Sequence, residues 1–290
     1  MSLLARVTGL AAIGMAAACT GSETPQADLP AQTAPPAHTA PTSNVVNITA
    51  REYAFEAPHQ LPAGVTNFHF MVKGKEPHHG IMVRLDEGKT FDDLAAALKN
   101  PGPPPSWAHL DGGVMIGDPE KGSYTTMTLT PGRYALICFI PSADGVPHVA
   151  KGMFAPIEVT EAGASTAAEP SPDITLTLKD YEFAFSTPLT PGDHVIRVET
   201  APGQPHEFVL VRLGAGVTAQ QVIATEMGQN KGPRPSYTFM GGVAPMEGGR
   251  HAFVKVRLEP GTYAVVCFIP DAKDGKPHFM HGMLKEFKVG

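Results

Sequence analysis

The chain has 290 residues, of which 42% are hydrophobic and 17% charged, so a sizeable core is available and the length suits about two domains. A net charge of -6 with no basic cluster leaves nothing to neutralise a phosphate backbone, which excludes nucleic acid as a partner. The 29 prolines and 30 glycines, spread along the chain, favour a turn-rich β protein over a helical one.

Residues 1–19 place one arginine before a mostly apolar stretch that ends in small residues, the layout of a secretory signal. Export is the expectation, to the periplasm or to the outer face of a membrane. The run Met15-Ala-Ala-Ala-Cys19 resembles a bacterial lipoprotein cleavage site, with Ala16 where leucine is usual. Lipidation of Cys19 would anchor the chain to a membrane. Ordinary cleavage near Ala18, with Cys19 a bystander, is the other reading. Residues 20–44 are rich in Pro, Ala and Thr without apolar periodicity and are expected to be a disordered tether.

Two similar units follow, 45–160 and 173–290, joined by a linker over 161–172. The duplication shows in ITAREYAF against LTLKDYEF, PHHGIMVRL against PHEFVLVRL, and PGRYALICFIP against PGTYAVVCFIP. Alternating runs at 66–72, 80–84, 124–129 and 133–139 predict strands in the first unit. Their counterparts lie at 194–199, 207–212, 252–258 and 262–268. The architecture expected is a β-sandwich in each unit. One short helix per unit is predicted where Thr90 precedes FDDLAAALKN and Thr218 precedes AQQVIATEM, with Asp93 and Gln221 three residues on as capping partners.

The chemistry sits at the end of each unit. CFIPSADGVPHVAKGM and CFIPDAKDGKPHFMHGM each give a cysteine, a histidine after proline, and a methionine five residues past that histidine. A further histidine stands upstream at the same place in both copies, His78 and His206, where each opens a β-like run. Two imidazoles, a thiolate and a weak axial thioether are soft-to-borderline donors that suit copper in both its oxidation states, and suit calcium or magnesium poorly. Taken singly, such residues are ordinary core or loop positions. Their recurrence in the same order in two copies points to a metal. A disulfide between Cys138 and Cys267 is the weaker reading, because equivalent positions of two repeats meet only on a symmetry axis.

With those motifs in view, each unit resembles a cupredoxin, the plastocyanin and azurin family of blue copper proteins, over about four-fifths of the chain. The resemblance implies an all-β fold of two tandem Greek-key β-sandwich domains, each with one short helix. It implies two type 1 copper sites, with ligands His78, Cys138, His148 and Met153 in the first and His206, Cys267, His278 and Met283 in the second. The spacing from Cys to His is ten residues in one copy and eleven in the other, nearer the long loop of copper nitrite reductases than that of plastocyanin-like carriers. The family's role would be one-electron transfer through a weak, transient contact with a redox partner, made over the apolar loops around Val146, Pro147 and Val149 and around Pro277, Phe279 and Met280.

Two other readings stay open. One is a copper-holding or copper-delivery protein. The other is a nitrite reductase or multicopper oxidase relative, although such enzymes need a further copper held by several histidines and the sequence has no His-x-His pair. His79 and Glu207, directly after the first ligands, are expected to fix that loop or bond nearby backbone. His69, His109, His194, His251 and His281 read as surface or loop residues, and Trp107 and Tyr237 as plugs of the sandwich end.

Overall fold

A computed structural model describes residues 45–99 and 104–290 of the chain. The expected signal over 1–19, Cys19 and the expected tether over 20–44 lie outside the described residues.

The first copy runs β1 (Val45–Arg51), β2 (Ala54–Glu56), β3 (Gln60–Pro62), β4 (Gly64–Val72), β5 (Gly80–Leu85), α1 (Phe91–Ala97), β6 (Ala108–Val114), β7 (Ser123–Leu129), β8 (Gly132–Ile137) and β9 (Phe154–Thr160). The second runs β10 (Ile174–Lys179), β11 (Glu182–Phe185), β12 (Gly192–Thr200), β13 (His206–Leu213), α2 (Ala219–Glu226), β14 (Tyr237–Met246), β15 (His251–Leu258), β16 (Gly261–Val266) and β17 (Leu284–Val289). All eight strands predicted from alternation are present. Both helices start at the expected threonines, each with a reciprocal capping box: Asp93 N–H to Thr90 Oγ1 at 3.1 Å, and Gln221 N–H to Thr218 Oγ1 at 3.3 Å.

The copies do not stand apart as two closed sandwiches. They share two continuous sheets, ordered β11-β10-β12-β15-β7-β4-β1-β2 and β17-β16-β13-β14-β6-β5-β8-β9-β3. The joins are β7 against β15 and β6 against β14, both antiparallel, so equivalent strands of the two copies pair with each other. That is the pairing a two-fold relation between copies produces. It also covers four strand edges, those of β6, β7, β14 and β15, that would otherwise lie open.

Between the sheets lies one core drawn from both copies, including Phe68, Phe70, Leu136, Phe208, Val254 and Tyr263, each almost wholly buried. The outer face of the nine-stranded sheet is covered by the helices through Leu94 and Val222, and Trp107 and Tyr237 pack against that second cluster. The linker is tied to both copies, since Thr128 Oγ1 donates to Glu169 at 2.8 Å and His251 meets the same carboxylate at 2.8 Å.

A glycine pair in each copy lets the central strands pass closely. Gly113 and Gly242 sit at φ 136° and 147°, and a Cβ there would meet the carbonyl oxygen of Gly80 at 2.1 Å or of Phe208 at 1.8 Å. Only glycine tolerates that backbone and that contact. The strands so approached are β5 and β13, which carry the chain away from His78 and His206.

Candidate metal centres

Each centre is assembled by one strand start and one strand end. His78 and His206 stand at the entrance to β5 and β13. Cys138 and Cys267 follow directly on β8 and β16, which stop one residue before the cysteine. The chain then makes a loop and a 3-10 turn, His148–Lys151 or His278–His281, before β9 or β17.

Backbone bonds return that loop to the cysteine: His148 N–H to Ile140 O at 2.9 Å, Val149 N–H to Cys138 O at 2.8 Å, and Met153 N–H to His148 O at 3.0 Å. The second copy repeats them at 2.8, 3.0 and 3.0 Å with Ile269, Cys267 and His278 as acceptors. The positions of the donors are therefore fixed by main chain in both copies.

The structure brings His78, Cys138 and His148 together as one buried group, and His206, Cys267 and His278 as another. The imidazole Nδ1 atoms face each other at 3.0 Å in both. The thiol Sγ lies 3.4 Å from His148 Nδ1 and 3.5 Å from His278 Nδ1. For metal–nitrogen bonds of about 2.0 Å and metal–sulfur bonds of about 2.3 Å, donors of a trigonal or tetrahedral shell lie about 3.3–3.8 Å apart. The observed separations are close to that shell without rearrangement.

Met153 and Met283 are fully buried in the inter-sheet core, and their carbonyls accept from the cysteine amides at 3.4 and 3.1 Å. This places each methionine beside its cysteine. Cys138 and Cys267 are free thiols, each within its own group.

The far sides of the imidazoles explain why Nδ1 is left for a metal. His148 Nε2 meets Glu76 at 2.8 Å, and His206 Nε2 meets Asp180 at 2.7 Å. A carboxylate accepts a hydrogen bond from Nε2–H, which keeps the proton on Nε2 and leaves Nδ1 as a lone-pair donor. Burial pulls the Glu76 and Asp180 carboxyls upward, but hydrogen bonds outweigh it, chiefly from Ser142 and His148 in one case and from His206 in the other, and both sit below the usual carboxylate range.

His78 and His278 have no Nε2 hydrogen-bond partner although fully buried, with Glu52 and Asp271 each 3.9 Å away. Burial holds His78 down to about 4 and lowers His206 and His278, which favours their neutral forms. Burial likewise pushes the Cys138 thiol up to about 11, partly offset by the amides of His79 and Ile140, and raises Cys267 as well. A buried cluster of facing lone pairs and a thiol that needs a cation to ionise is satisfied by a soft metal ion.

The residues after the first histidines do what the sequence suggested. Phe139 N–H donates to His79 Nε2 at 3.0 Å, and Phe268 N–H donates to Glu207 Oε1 at 2.7 Å, so each holds the residue following the cysteine. Burial keeps His79 neutral, down to about 3, and pushes the Glu207 carboxyl up to about 7.

The internal comparison missed other neighbours. Tyr53 and Tyr181 pack on His148 and His278, with ring centroids 5.0 and 5.3 Å apart. The dipeptides Glu52-Tyr53 and Asp180-Tyr181 occupy matching places in ITAREYAF and LTLKDYEF, which was the available signal. His281, read as a surface or loop residue, and Lys151 at the same place in the first copy are half-buried against these tyrosines. His109 lies at the join of the copies, bonded to Glu247 at 3.2 Å and to Asp86 at 2.9 Å. His69, His194 and His251 meet backbone or side-chain oxygens near the surface.

A third group, Asp271, Asp274 and His281, also lies within metal-ligand distances. The Asp271 carboxylate is already engaged by the amides of Lys273 and Asp274, by the Tyr181 hydroxyl and by Gln204, so it holds a loop.

No known family profile and no curated protein matches the chain. Among solved structures, it is similar to auracyanin A, a blue copper protein from the green thermophilic photosynthetic bacterium Chloroflexus aurantiacus, at 22% identity over 40% of this chain and 97% of that one, with a TM-score of 0.29. It is similar to a multicopper oxidase at 14% identity over 85% and 88% of the two chains, with a TM-score of 0.24. It is similar to a copper nitrite reductase from Nitrosomonas europaea at 14% identity over 86% and 94%, with a TM-score of 0.22. The strand order and the donor geometry stand independently of these likenesses. The chain is an all-β protein of two similar copies that share two sheets, each copy burying a His-Cys-His group whose donors suit a soft metal ion.

Proposed function

We propose that the chain is an exported one-electron carrier with two type 1 copper centres. The observation that carries this reading is the twice-repeated group of two Nδ1 atoms and one Sγ, held 3.0–3.5 Å apart by main-chain bonds. Copper would supply the one-electron couple there, and His78, Cys138, His148 and Met153, or His206, Cys267, His278 and Met283, would hold it. The protein's part is to keep that geometry fixed. The loops are pinned to the cysteine strands, one imidazole of each centre is oriented by a carboxylate, and both histidines of each centre are sealed from water. Little then has to move when charge changes, the requirement for fast electron exchange.

Val146 and Met280, 39% and 60% exposed, lie on the loops that carry His148 and His278. They support a small apolar contact for a transient redox partner at each centre. Export, and anchoring through Cys19, rest on residues 1–19 and belong to the same proposal.

The oxidase or reductase reading requires further histidines free to bind copper. His69, His109, His194, His251 and His281 each already meet a carboxylate or an amide or backbone oxygen.

The test is a redox titration of the copper-loaded chain in the presence of a Cu(I) chelator. A carrier gives reversible one-electron changes at both centres and keeps its copper through repeated cycles. Loss of copper to the chelator on first reduction would favour the delivery reading, and turnover of nitrite or of dioxygen would favour the enzyme.

A further inference from the structure

Building on the copper reading, we propose that Tyr53 and Tyr181 are positioning residues of the two centres, each fixing the second imidazole and the loop that delivers it. Each ring lies against a buried ligand histidine, Tyr53 at 5.0 Å and 53° to His148, Tyr181 at 5.3 Å and 68° to His278. Both tyrosines are half-buried, whereas the imidazoles behind them are fully buried, so the rings cover the imidazoles on that side.

The hydroxyls complete the arrangement by binding the loop between cysteine and histidine. Ser142 Oγ donates to Tyr53 at 3.1 Å, and Tyr181 donates to Asp271, the residue at the same place in the second copy. Gln204 adds a bond to the Tyr181 hydroxyl at 3.0 Å and Lys151 adds one to Tyr53 at 3.3 Å. Different partners thus reach the same hydroxyl in the two copies.

The ring therefore meets the imidazole while its hydroxyl holds the loop on which that imidazole rides. His278 needs such a wedge most, because its Nε2 has no hydrogen bond of its own. The preceding acidic residue completes a two-residue device. Asp180 bonds His206 at 2.7 Å while Tyr181 packs on His278, so one turn of chain orients both imidazoles of the second centre. In the first copy Glu52 lies 3.9 Å from His78 and bonds the Glu76 amide at 2.8 Å, and Glu76 in turn bonds His148.

The experiment uses the full chain with Tyr181→Leu, Tyr181→Phe, Tyr53→Leu and Tyr53→Phe. Copper(II) affinity is measured by chelator competition, with paramagnetic resonance and visible absorption of the loaded forms and thermal unfolding of the metal-free forms. Each leucine variant is expected to weaken one of two coppers by about tenfold to a hundredfold and to alter that copper's spectrum, as loss of a ligand-orienting neighbour does. The other centre keeps wild-type affinity and spectrum, which a general loss of stability would not give. Each phenylalanine variant keeps the ring and the spectrum, and loses about threefold to tenfold in affinity with the hydroxyl bonds. Leucine variants with wild-type affinity and spectrum would overturn the proposal. Should the leucine variants fail to fold, phenylalanine variants of wild-type affinity would overturn it equally. A wild-type chain that binds no copper strikes the copper reading rather than the tyrosines, and the same variants are then read by Co(II) affinity.

Discussion

The two centres share every donor, almost every donor distance and the tyrosine on the second imidazole, yet the hydrogen bonds around their imidazoles differ. The Nδ1 atoms are 3.0 Å apart in both. The carboxylate that orients a histidine binds the second ligand, His148, in one copy and the first ligand, His206, in the other. Ser142 of the first copy corresponds to Asp271 of the second, Glu76 to Gln204, and His79 to Glu207. The lesson is that the donor set is fixed by the metal's chemistry, whereas several arrangements serve equally to point an imidazole's Nδ1 inward.

The comparison breaks first if the glycine pairs are not equivalent. Gly113→Ala and Gly242→Ala each push a Cβ into a backbone oxygen at a strained φ, and each should lower stability by about 3 kcal/mol in denaturant unfolding. Tolerance of one and not the other would show that the two copies do not share this strand crossing.

A smaller effect tests the exchanged carboxylates. Glu76→Gln should weaken copper at the first centre, and Asp180→Asn at the second, by about tenfold each in chelator competition. If Asp180→Asn changed nothing, the orienting role assigned to the His206 contact would fail. Smaller again, Thr90→Ala and Thr218→Ala should each cost about 1 kcal/mol of stability, alike in both copies, with the copper spectra unmoved.

The finest comparison is the pH dependence of metal-free stability at the two equivalent positions. His79 is held down to about 3 by burial, so the unfolded chain binds more protons than the folded one between that value and its ordinary 6.5. Its contribution makes stability rise with pH across that window. Glu207 is pushed up to about 7 from 4.5 by burial, so the folded chain binds more protons there and stability falls as pH rises. Denaturant unfolding across pH 3 to 8 should lose the rising component in His79→Gln and the falling component in Glu207→Gln. The same sign of change in both variants would contradict the assignment.

Much of this was legible in the sequence for physical reasons. Alternation marks strands that bury one face, the threonine caps mark helix starts, and the donor pattern survives duplication because a metal tolerates few substitutes. The strands predicted to reach Phe139 and Phe268 stop earlier, at Ile137 and Val266, because the chain leaves the ladder to deliver the cysteine. The fused sheets were not legible, since which edges pair is decided by tertiary packing. Strands β6 and β14 also escaped notice, their Gly-Gly pairs and Pro245 being poor strand formers held in place by their neighbours.

The imidazole-orienting carboxylates were hidden for a different reason. Comparing the copies selects what is identical, and Glu76 against Gln204 or Lys151 against His281 are not. Side chains of unlike chemistry fill the same space around Tyr53 and Tyr181, so the rule that exposed the ligands discarded what orients them.

The most direct test of the central claim is copper stoichiometry with visible absorption and paramagnetic resonance on the chain from about Thr20 onward, for wild type, Cys138→Ser and Cys267→Ser. Two coppers per chain with intense thiolate-to-copper absorption, one lost in each single variant, is the result expected of two type 1 centres. A chain that stays colourless after Cu(II) loading, or an absorption that survives both substitutions together, would contradict it.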